Sequence, residues 1–302
     1  MKKQEAKNRV KNLIFQFIKY LEIVKGRSES TQNIYLRKLL KFFEWFGYKD
    51  PEKIDKETIW QFRVYLSNKK LDKKTQAHYL IVLRNFLKFL KKEMNLKVLD
   101  FTQIDLPKLP EREIKVLSEN ELKSLLNSPN GNDLKSLRDK AILEILFSTG
   151  LRVSELCSLN RDVDIEKGEL VVKGKGNRIR TVFLSDSAKE ALKNYLERRE
   201  DNDPALFISL ARNKDPQRIT PRAVQKIVKY YAIKAGIIKN VHPHVLRHQL
   251  ATLLVSAGVN LRVVQEILGH KNISTTQVYT HISKPELKKI YEEVINKKIN
   301  NT

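Results

Sequence analysis

The strongest constraint in this sequence is the helical recurrence of its apolar residues, which a proline-containing stretch interrupts once. In the first third, one face of each of two segments is apolar, through Leu13, Ile14, Phe17, Ile18 and Leu21, then through Leu36, Leu39, Leu40, Phe43 and Phe46 up to Gly47. A short helix at 58–66 and a longer one at 73–90 follow. Because amphipathic helices bury their apolar faces against one another, we predict a small four-helix domain.

Residues 106–116 read LPKLPEREIKV and contain two prolines without helical periodicity. Such a stretch is typical of an extended linker. A chain of 302 residues also has the length of two ordinary domains. We therefore predict an N-terminal domain at 1–106, a linker at 107–116 and a C-terminal domain at 117–302.

The C-terminal domain is predicted to be helical apart from one β-hairpin. Ser118 and Glu121 have the spacing of a capping box, and a helix at 136–149 should end at Gly150. Two β-branched runs, 169–173 and 179–184, flank a glycine-rich turn and predict the hairpin. Six further helices are expected, at 187–199, 221–235, 245–257, 262–268, 275–279 and 285–296. The fold class is thus mainly α, with two domains and a small antiparallel sheet.

The chain is strongly basic, with 58 lysines and arginines against 35 aspartates and glutamates and a formal net charge of +23. Both halves share this excess: residues 1–115 have 27 basic and 14 acidic residues, and residues 116–302 have 31 and 21. A long polyanion that contacts both domains explains such a distribution best, and double-stranded DNA or RNA leads. A merely lysine-rich protein is the alternative.

Other classes of protein are excluded more simply. A single cysteine, Cys157, rules out a disulfide framework and a cysteine-rich zinc module. The apolar runs are too short to span a bilayer, and the first residues lead into an amphipathic helix rather than a signal sequence. We expect a cytoplasmic protein with no membrane contact.

Five short segments of the C-terminal domain combine basic, histidine or tyrosine residues with turn-forming ones: TGLRVSEL (149–156), VKGKGNR (172–178), HPHVLRH (242–248), LGH (268–270) and STTQVYTH (274–281). Each signal alone is weak. His244 and Arg247 are three residues apart and could address one anion from the same helical face. Zinc binding by His242, His244 and His248 is disfavoured because no acidic residue or thiolate accompanies them, and His248 is interpreted as a buried core histidine.

Taken in order, these segments resemble the tyrosine recombinase, or phage integrase, family, and within it the Xer type most closely. The resemblance covers the whole second domain, and the four N-terminal helices fit the family's core-binding, SAM-like domain. It implies transesterification at a DNA phosphodiester, with Tyr279 as the nucleophile that forms a 3′-phosphotyrosine. It needs no ATP, metal or other cofactor.

The resemblance also assigns the other catalytic positions. Arg152 and Arg247 would bind the non-bridging phosphate oxygens, since guanidinium groups donate in pairs to phosphate, and His270 would add a third donor. Lys175, between two glycines, would be the general acid, with Lys173 as the competing candidate. His244 would be a general base or a positioning donor, and the sequence does not decide between them.

Two further positions complete the resemblance. Glu155 would orient the site by holding an arginine or histidine, although a surface salt bridge is equally compatible with its position. Gln249 and Leu250 depart from the family, which usually has a small hydroxyl residue and then an aromatic one after the histidine. We expect this change to alter packing and to leave catalysis intact.

The biological role implied is a recombinase that resolves chromosome or plasmid dimers at dif-like sites during chromosome segregation and cell division. Four protomers would meet on two DNA sites, as a homotetramer or as a heterotetramer with a paralogue, with a DNA translocase as a candidate activator. The terminal segment 284–296 could dock into a neighbouring protomer or pack on its own domain. A mobile-element integrase and a catalytically silent DNA-binding protein remain alternatives.

Overall fold

The structure is a computed structural model and describes residues 2–107, 116–174, 179–210, 215–269 and 288–295. Packing divides the chain into two compact units, residues 1–112 and 113–302. The first unit has one hydrophobic core, and the second has a main core and a smaller neighbouring cluster. Among the described residues, no helix is both long and apolar enough to cross a bilayer.

Four helices form the first unit: α1 (Lys2–Ile23), α2 (Glu29–Trp45), α3 (Lys56–Asn68) and α4 (Lys73–Lys92). Aspartates fix the start of the last two. Asp55 accepts a hydrogen bond from the Thr58 backbone N–H at 2.7 Å, and Asp72 accepts one from the Thr75 N–H at 2.8 Å. Each cap satisfies an N–H that has no partner within its helix. The predicted four-helix domain is confirmed.

Aromatic rings fill the core of the first unit. The most deeply buried are Phe17, Phe42, Phe43, Phe62 and Phe86. The rings of Phe42 and Phe62 meet edge to face with centroids 4.8 Å apart, an arrangement that aromatic quadrupoles favour. The basic residues of α4 lie outside this core and are exposed at its two ends: Lys73, Lys74, Lys88, Lys91 and Lys92.

The second unit contains eight helices and two small antiparallel pairs of strands. Its helices are α5 (Glu119–Asn127), α6 (Leu134–Thr149), α7 (Val153–Ser158), α8 (Asp186–Glu197), α9 (Pro221–Lys234), α10 (Pro243–Ser256), α11 (Leu261–Leu268) and α12 (288–295). Strand β1 (Glu169–Lys173) pairs with β2 (Ile179–Phe183), and β3 (Ile208–Ser209) pairs with β4 (Gln217–Arg218). The counts refer to the described ranges.

Helix α6 is the centre of the second unit and is buried on nearly every side, from Arg138 to Thr149. It packs mainly against α8 and α10. Charged residues inside such a helix need partners, because an unpaired charge is costly to bury. Asp139 accordingly pairs with Arg138 at 2.6 Å, and Glu144 pairs with Lys140 at 2.7 Å.

Helix α12 packs on its own unit. Its Tyr291 is 1% exposed, and the hydroxyl donates to the Ser148 carbonyl oxygen of α6 at 2.7 Å. Tyr291 and Ile295 join Phe183 and the apolar faces of α10 and α11 in the smaller cluster. Of the two arrangements expected for the terminal segment, the structure therefore has the one in which the helix packs on its own unit. Docking into a neighbouring protomer stays a prediction.

The helix bounds agree with the predicted ones to within about two residues wherever both are described. The predicted helix at 245–257 begins earlier, at Pro243, because proline is well suited to the first helical turn. Strands β3 and β4 were not predicted, since two residues per strand carry no periodicity. The predicted linker at 107–116 and the helix at 275–279 lie largely or wholly outside the described residues.

Candidate active site

Three of the six residues predicted to be catalytic lie together at one end of α6. Arg152 precedes α7, and His244 and Arg247 lie in the first two turns of α10. The other three, Lys175, His270 and Tyr279, lie outside the described residues.

The turn after α6 brings Arg152 to this site. Gly150 ends the helix with φ +59°, a left-handed conformation that glycine adopts without strain. A Cβ at this position would lie 2.6 Å from Leu268 Cδ2 and 3.0 Å from Leu250 Cδ2. The glycine therefore allows α6 to end directly against α10 and α11.

Glu155 is the carboxylate of the site and is 4% exposed. It accepts hydrogen bonds from the Arg152 backbone N–H at 2.8 Å and from Arg152 Nη1 at 2.9 Å. Arg180, on β2, donates to the same carboxylate through Nη1 at 3.0 Å and Nη2 at 2.8 Å. Glu155 therefore holds an arginine, as one of the two expectations for it stated.

Burial alone would raise the pKa of Glu155. The hydrogen bonds from Arg180 and from the Arg152 backbone outweigh it and lower the pKa to about 2. Hydrogen bonds to the charged form stabilise that form. Glu155 is thus ionised at neutral pH.

Arg247 is 5% exposed and has no carboxylate partner among the described residues. Its Nη1 donates to the Gly150 carbonyl oxygen and its Nη2 to that of Leu268. Burial, then the positive charges of Arg152 and Arg180, lower the pKa of Arg247 to about 10. The guanidinium remains protonated at neutral pH, in an environment that disfavours its charge.

Arg152 also reaches the end of α11. Its Nη2 donates to the Gly269 carbonyl oxygen at 3.4 Å, while a third of its side chain remains exposed. Gly269 has φ +66° and ends α11 as predicted for the residue before His270. The described part of the LGH segment therefore lies beside both predicted arginines.

His244 has an exposed side chain on α10. Its pKa is lowered, first by partial burial of the ring and then by the positive field of His242, Arg247, His248 and Arg152. A lowered pKa keeps the imidazole neutral at neutral pH, so that it can accept a proton.

The interpretation of His248 as a buried core histidine is wrong, because the side chain is exposed. Residues four apart share a helical face, and His248 therefore follows exposed His244, whereas Leu246 and Leu250 face the core. Among the described residues, no three His, Cys, Asp or Glu side chains form a group that could hold a metal ion.

The contacts of Gln249 give a structural reason for its presence where the family usually has a small hydroxyl residue. It is 7% exposed, its Oε1 accepts from the Leu117 backbone N–H at 2.9 Å, and its Nε2 donates to the Leu117 carbonyl oxygen at 3.0 Å. The amide thus pairs with both backbone groups of one residue, which a small hydroxyl could not do. It fixes the residue just after the predicted linker to the helix of Arg247.

Arg180 is the site residue that the sequence interpretation missed. It lies opposite Val172 in the β1–β2 pair, on the inward face of the hairpin, as do the neighbouring pair Leu170 and Val182. Ile179, one residue earlier, is 72% exposed. An arginine on the inward face of a strand would indicate a buried partner. The sequence does not show that Arg180 faces inward, because its neighbour Ile179 is apolar and would itself be expected to face the core.

Two family models match the chain. The model of the phage integrase family matches residues 115–286, and that of the phage integrase N-terminal SAM-like domain matches residues 14–94. The chain belongs to the phage integrase family of tyrosine recombinases. This confirms the family resemblance, and the enzyme is a site-specific DNA recombinase.

Curated relatives of this recombinase cover nearly all of its length. Tyrosine recombinase XerD of Staphylococcus saprophyticus is 37% identical over 287 residues, which are 93% of this chain and 97% of the relative. Tyrosine recombinase XerC of Thermodesulfovibrio yellowstonii is 37% identical over 291 residues, 93% and 95% of the two chains. The Xer-type resemblance is therefore confirmed for both units.

Solved structures support the fold of the recombinase. A lambda integrase dimer bound to a core site matches with a TM-score of 0.69 at 18% identity, covering 90% of this chain and 98% of that one. The XerH site-specific recombinase bound to a palindromic difH substrate matches with a TM-score of 0.66 at 24% identity, covering 95% and 83%. Both helical units thus belong to a known architecture.

Proposed function

We propose that this recombinase cuts and rejoins duplex DNA through a 3′-phosphotyrosine formed by Tyr279, and that it resolves chromosome or plasmid dimers at dif-like sites. The observation that carries the proposal is uncompensated charge: Arg152 and Arg180 share one carboxylate, that of Glu155, and the nearby Arg247 has only backbone carbonyls as partners among the described residues. A phosphodiester would supply the missing negative charge.

Arg152 and Arg247 are the proposed phosphate ligands. Arg152 is partly exposed, and the low pKa of Arg247 indicates a buried positive charge that lacks an anionic partner. An anion bound here gains from both charges, and the gain grows as charge builds up in the pentacoordinate transition state. Comparable arginines contribute roughly 10³ to 10⁵ in rate to other phosphoryl-transfer enzymes.

The proposed reaction balances without an external energy source. The phenolic oxygen of Tyr279 attacks phosphorus, the bond from phosphorus to the 5′ oxygen breaks, and a free 5′-hydroxyl leaves. His244 takes the phenolic proton, because its lowered pKa keeps the ring neutral and able to accept one. Lys175, or Lys173 as the competing candidate, gives a proton to the 5′ oxygen. Because one phosphodiester replaces another, a 5′-hydroxyl can reverse the step on a new strand.

Assembly is proposed from the same scheme. Two DNA sites need four active protomers, in a homotetramer or in a heterotetramer with a paralogue, acting in the cytoplasm and open to activation by a DNA translocase. Release of α12 from its own unit and docking into a neighbour would link assembly to the site, since Tyr291 hydrogen-bonds to the end of the helix that leads to Arg152.

A nicked suicide substrate tests the chemistry. The nick lets the leaving strand diffuse away, so cleavage traps the protein covalently on DNA. We expect the parent protein to form this complex and Tyr279→Phe to bind the site without forming it. A parent that binds a verified site and forms no covalent complex would contradict the proposal.

A plasmid assay tests the biological role. Two copies of a dif-like site in one plasmid should recombine to give two circles. Insertion of an element end without such resolution would instead identify a mobile-element integrase.

A further inference from the structure

We propose that Arg180 is a positioning residue for the transesterification, which holds Glu155, Arg152 and the Gly269 turn in one fixed arrangement. The inference rests on the proposed function and adds to it a residue outside the six positions that the family resemblance assigns. Arg180 touches neither the phosphate nor the nucleophile in this scheme. It acts through the groups that do.

Its place in the hairpin connects three catalytic segments. Arg180 lies one residue after Ile179, which forms the last strand pair with Lys173, and Lys175 follows Lys173 by two residues in the sequence. From this base of the hairpin the side chain reaches Glu155 on α7 and the end of α11. One side chain therefore joins the segments that provide Lys175, Arg152 and His270.

The contact with Glu155 fixes orientation as well as charge. Nη1 and Nη2 of Arg180 each donate to a different oxygen of the carboxylate. The same two oxygens accept from the Nη1 and the backbone N–H of Arg152. A carboxylate held at both oxygens by one planar guanidinium offers a fixed acceptor to the other. Arg180 thereby determines where the Arg152 guanidinium lies.

The contact with Gly269 fixes the exit of α11. A Cβ at Gly269 would lie 2.8 Å from Arg180 Cδ and 2.9 Å from its Nε, closer than side-chain carbons approach other atoms. Position 269 therefore excludes a side chain for two reasons, the left-handed φ of +66° and the presence of Arg180. The residue that precedes His270 is set against this arginine.

The arrangement also has a cost in stability. Arg180 Nε is buried and has no hydrogen-bond partner among the described residues. A buried N–H without a partner destabilises the folded protein. The neighbouring inward side chains of the hairpin, Leu170 and Val172 on β1 and Val182 on β2, are apolar, and a role in the site accounts for an arginine among them.

The test compares Arg180→Gln with a structural arginine in the same unit, Arg218→Gln. Arg218 lies on β4 and donates to the backbone carbonyls of Cys157 at 3.0 Å and Leu159 at 2.6 Å. Single-turnover cleavage of a nicked DNA site is measured with saturating protein, together with DNA affinity and thermal unfolding. A misplacement of about 1 Å at a catalytic group can cost about 100-fold in rate.

We expect Arg180→Gln to cleave about 100-fold more slowly than the parent at unchanged DNA affinity, while Arg218→Gln cleaves at the parent rate. Arg180→Lys should recover only part of the loss, because an ammonium cannot bridge both oxygens. The double variant Glu155→Gln/Arg180→Gln leaves no buried carboxylate with a lost partner. It therefore guards against an Arg180→Gln protein that fails to fold, and it too should cleave slowly.

The pH profile of cleavage separates positioning from general structural support. Arg180 lowers the pKa of Glu155, and Arg152 and Arg247 are the other charged groups facing this carboxylate among the described residues. Without Arg180 the pKa of Glu155 must rise. Cleavage by Arg180→Gln should then fall at a higher pH than cleavage by the parent as the solution is acidified, and the double variant should lack this acid limb.

The outcomes separate the two proposals. Parent protein that forms no covalent complex overturns the proposed function and this inference with it. If the parent traps DNA and Arg180→Gln traps it as fast, the inference alone is overturned. The same holds if Arg180→Gln and Arg218→Gln lose the same cleavage rate and Arg180→Gln shows no shift of its acid limb.

Discussion

Two buried arginines of the second unit, Arg199 and Arg247, show how the site differs from the rest of the core. They are 7% and 5% exposed. Arg199 pairs with the Asp201 carboxylate and donates to the carbonyls of Ala205 and Leu206. Arg247 also donates to two carbonyls, those of Gly150 and Leu268, but no carboxylate pairs with it among the described residues.

The pKa values of the two arginines move in opposite directions. Burial would lower the pKa of Arg199, but the hydrogen bond to Asp201 outweighs it and the pKa is raised. For Arg247, burial and the neighbouring Arg152 and Arg180 lower the pKa to about 10. The two side chains are similarly buried but differ in charge balance. The charge of Arg199 is neutralised by Asp201, whereas the charge of Arg247 is available to bind an anion.

The largest expected effect is on the cleavage rate, and it should distinguish these two arginines. Arg247→Gln should slow single-turnover cleavage by roughly 10³-fold or more, because it removes charge that stabilises the transition state. Arg199→Gln should leave the cleavage rate unchanged and lower the free energy of unfolding by about 3 kcal/mol, because Asp201 loses its buried partner. Cleavage kinetics and urea unfolding check both. Equal losses of cleavage rate in the two variants would contradict the distinction between a structural Arg199 and an anion-binding Arg247.

The second prediction concerns His244, which lies in the same positive field. Its lowered pKa predicts that the neutral base is lost as pH falls through a value below the usual 6.5, so cleavage should decline there. His244→Gln should cleave about 10² to 10⁴-fold more slowly and lack this limb. The exposed His248→Gln is the matched control and should retain it. A rate that instead falls as pH rises through this pKa would assign His244 as a charged donor.

The third prediction concerns Glu155, the carboxylate that Arg152 and Arg180 share. Its pKa is lowered from 4.5 to about 2, so it adds stability above pH 4.5 that is lost as pH falls toward 2. That shift corresponds to about 3 kcal/mol. Urea unfolding between these pH values should show this extra loss in the parent and not in Glu155→Gln. The exposed Glu119→Gln should behave as the parent, and a Glu155→Gln profile like the parent's would contradict the depressed pKa.

The smallest expected effect belongs to a neutral buried group, Gln249. Gln249→Leu leaves the Leu117 N–H and carbonyl without their side-chain partner and should lower the free energy of unfolding by about 1 to 3 kcal/mol. Cleavage by the folded protein should be unchanged, as should the stability of the exposed control Gln225→Ala. A loss of cleavage at full stability would show that the amide acts on the site.

The sequence predicted most of the helices because apolar periodicity fixes a helix together with its buried face. The resemblance of the motifs to the family also predicted that Arg152 and Arg247 share a site, and the structure places both beside the ends of α6 and α11. The role of Arg180 and the exposure of His248 could not be predicted from the sequence, for a related reason. Which face of a short strand or helix turns inward depends on tertiary packing, and here an apolar Ile179 is exposed beside an inward arginine.

A neutral scissile linkage tests most directly whether the unpaired charge of Arg247 serves the DNA phosphate. A methylphosphonate in a nicked site removes the negative charge that the arginine would neutralise. On this substrate the deficit of Arg247→Gln relative to the parent should shrink at least about tenfold, because less charge develops in the transition state. A deficit as large as on the ordinary phosphodiester would contradict the account.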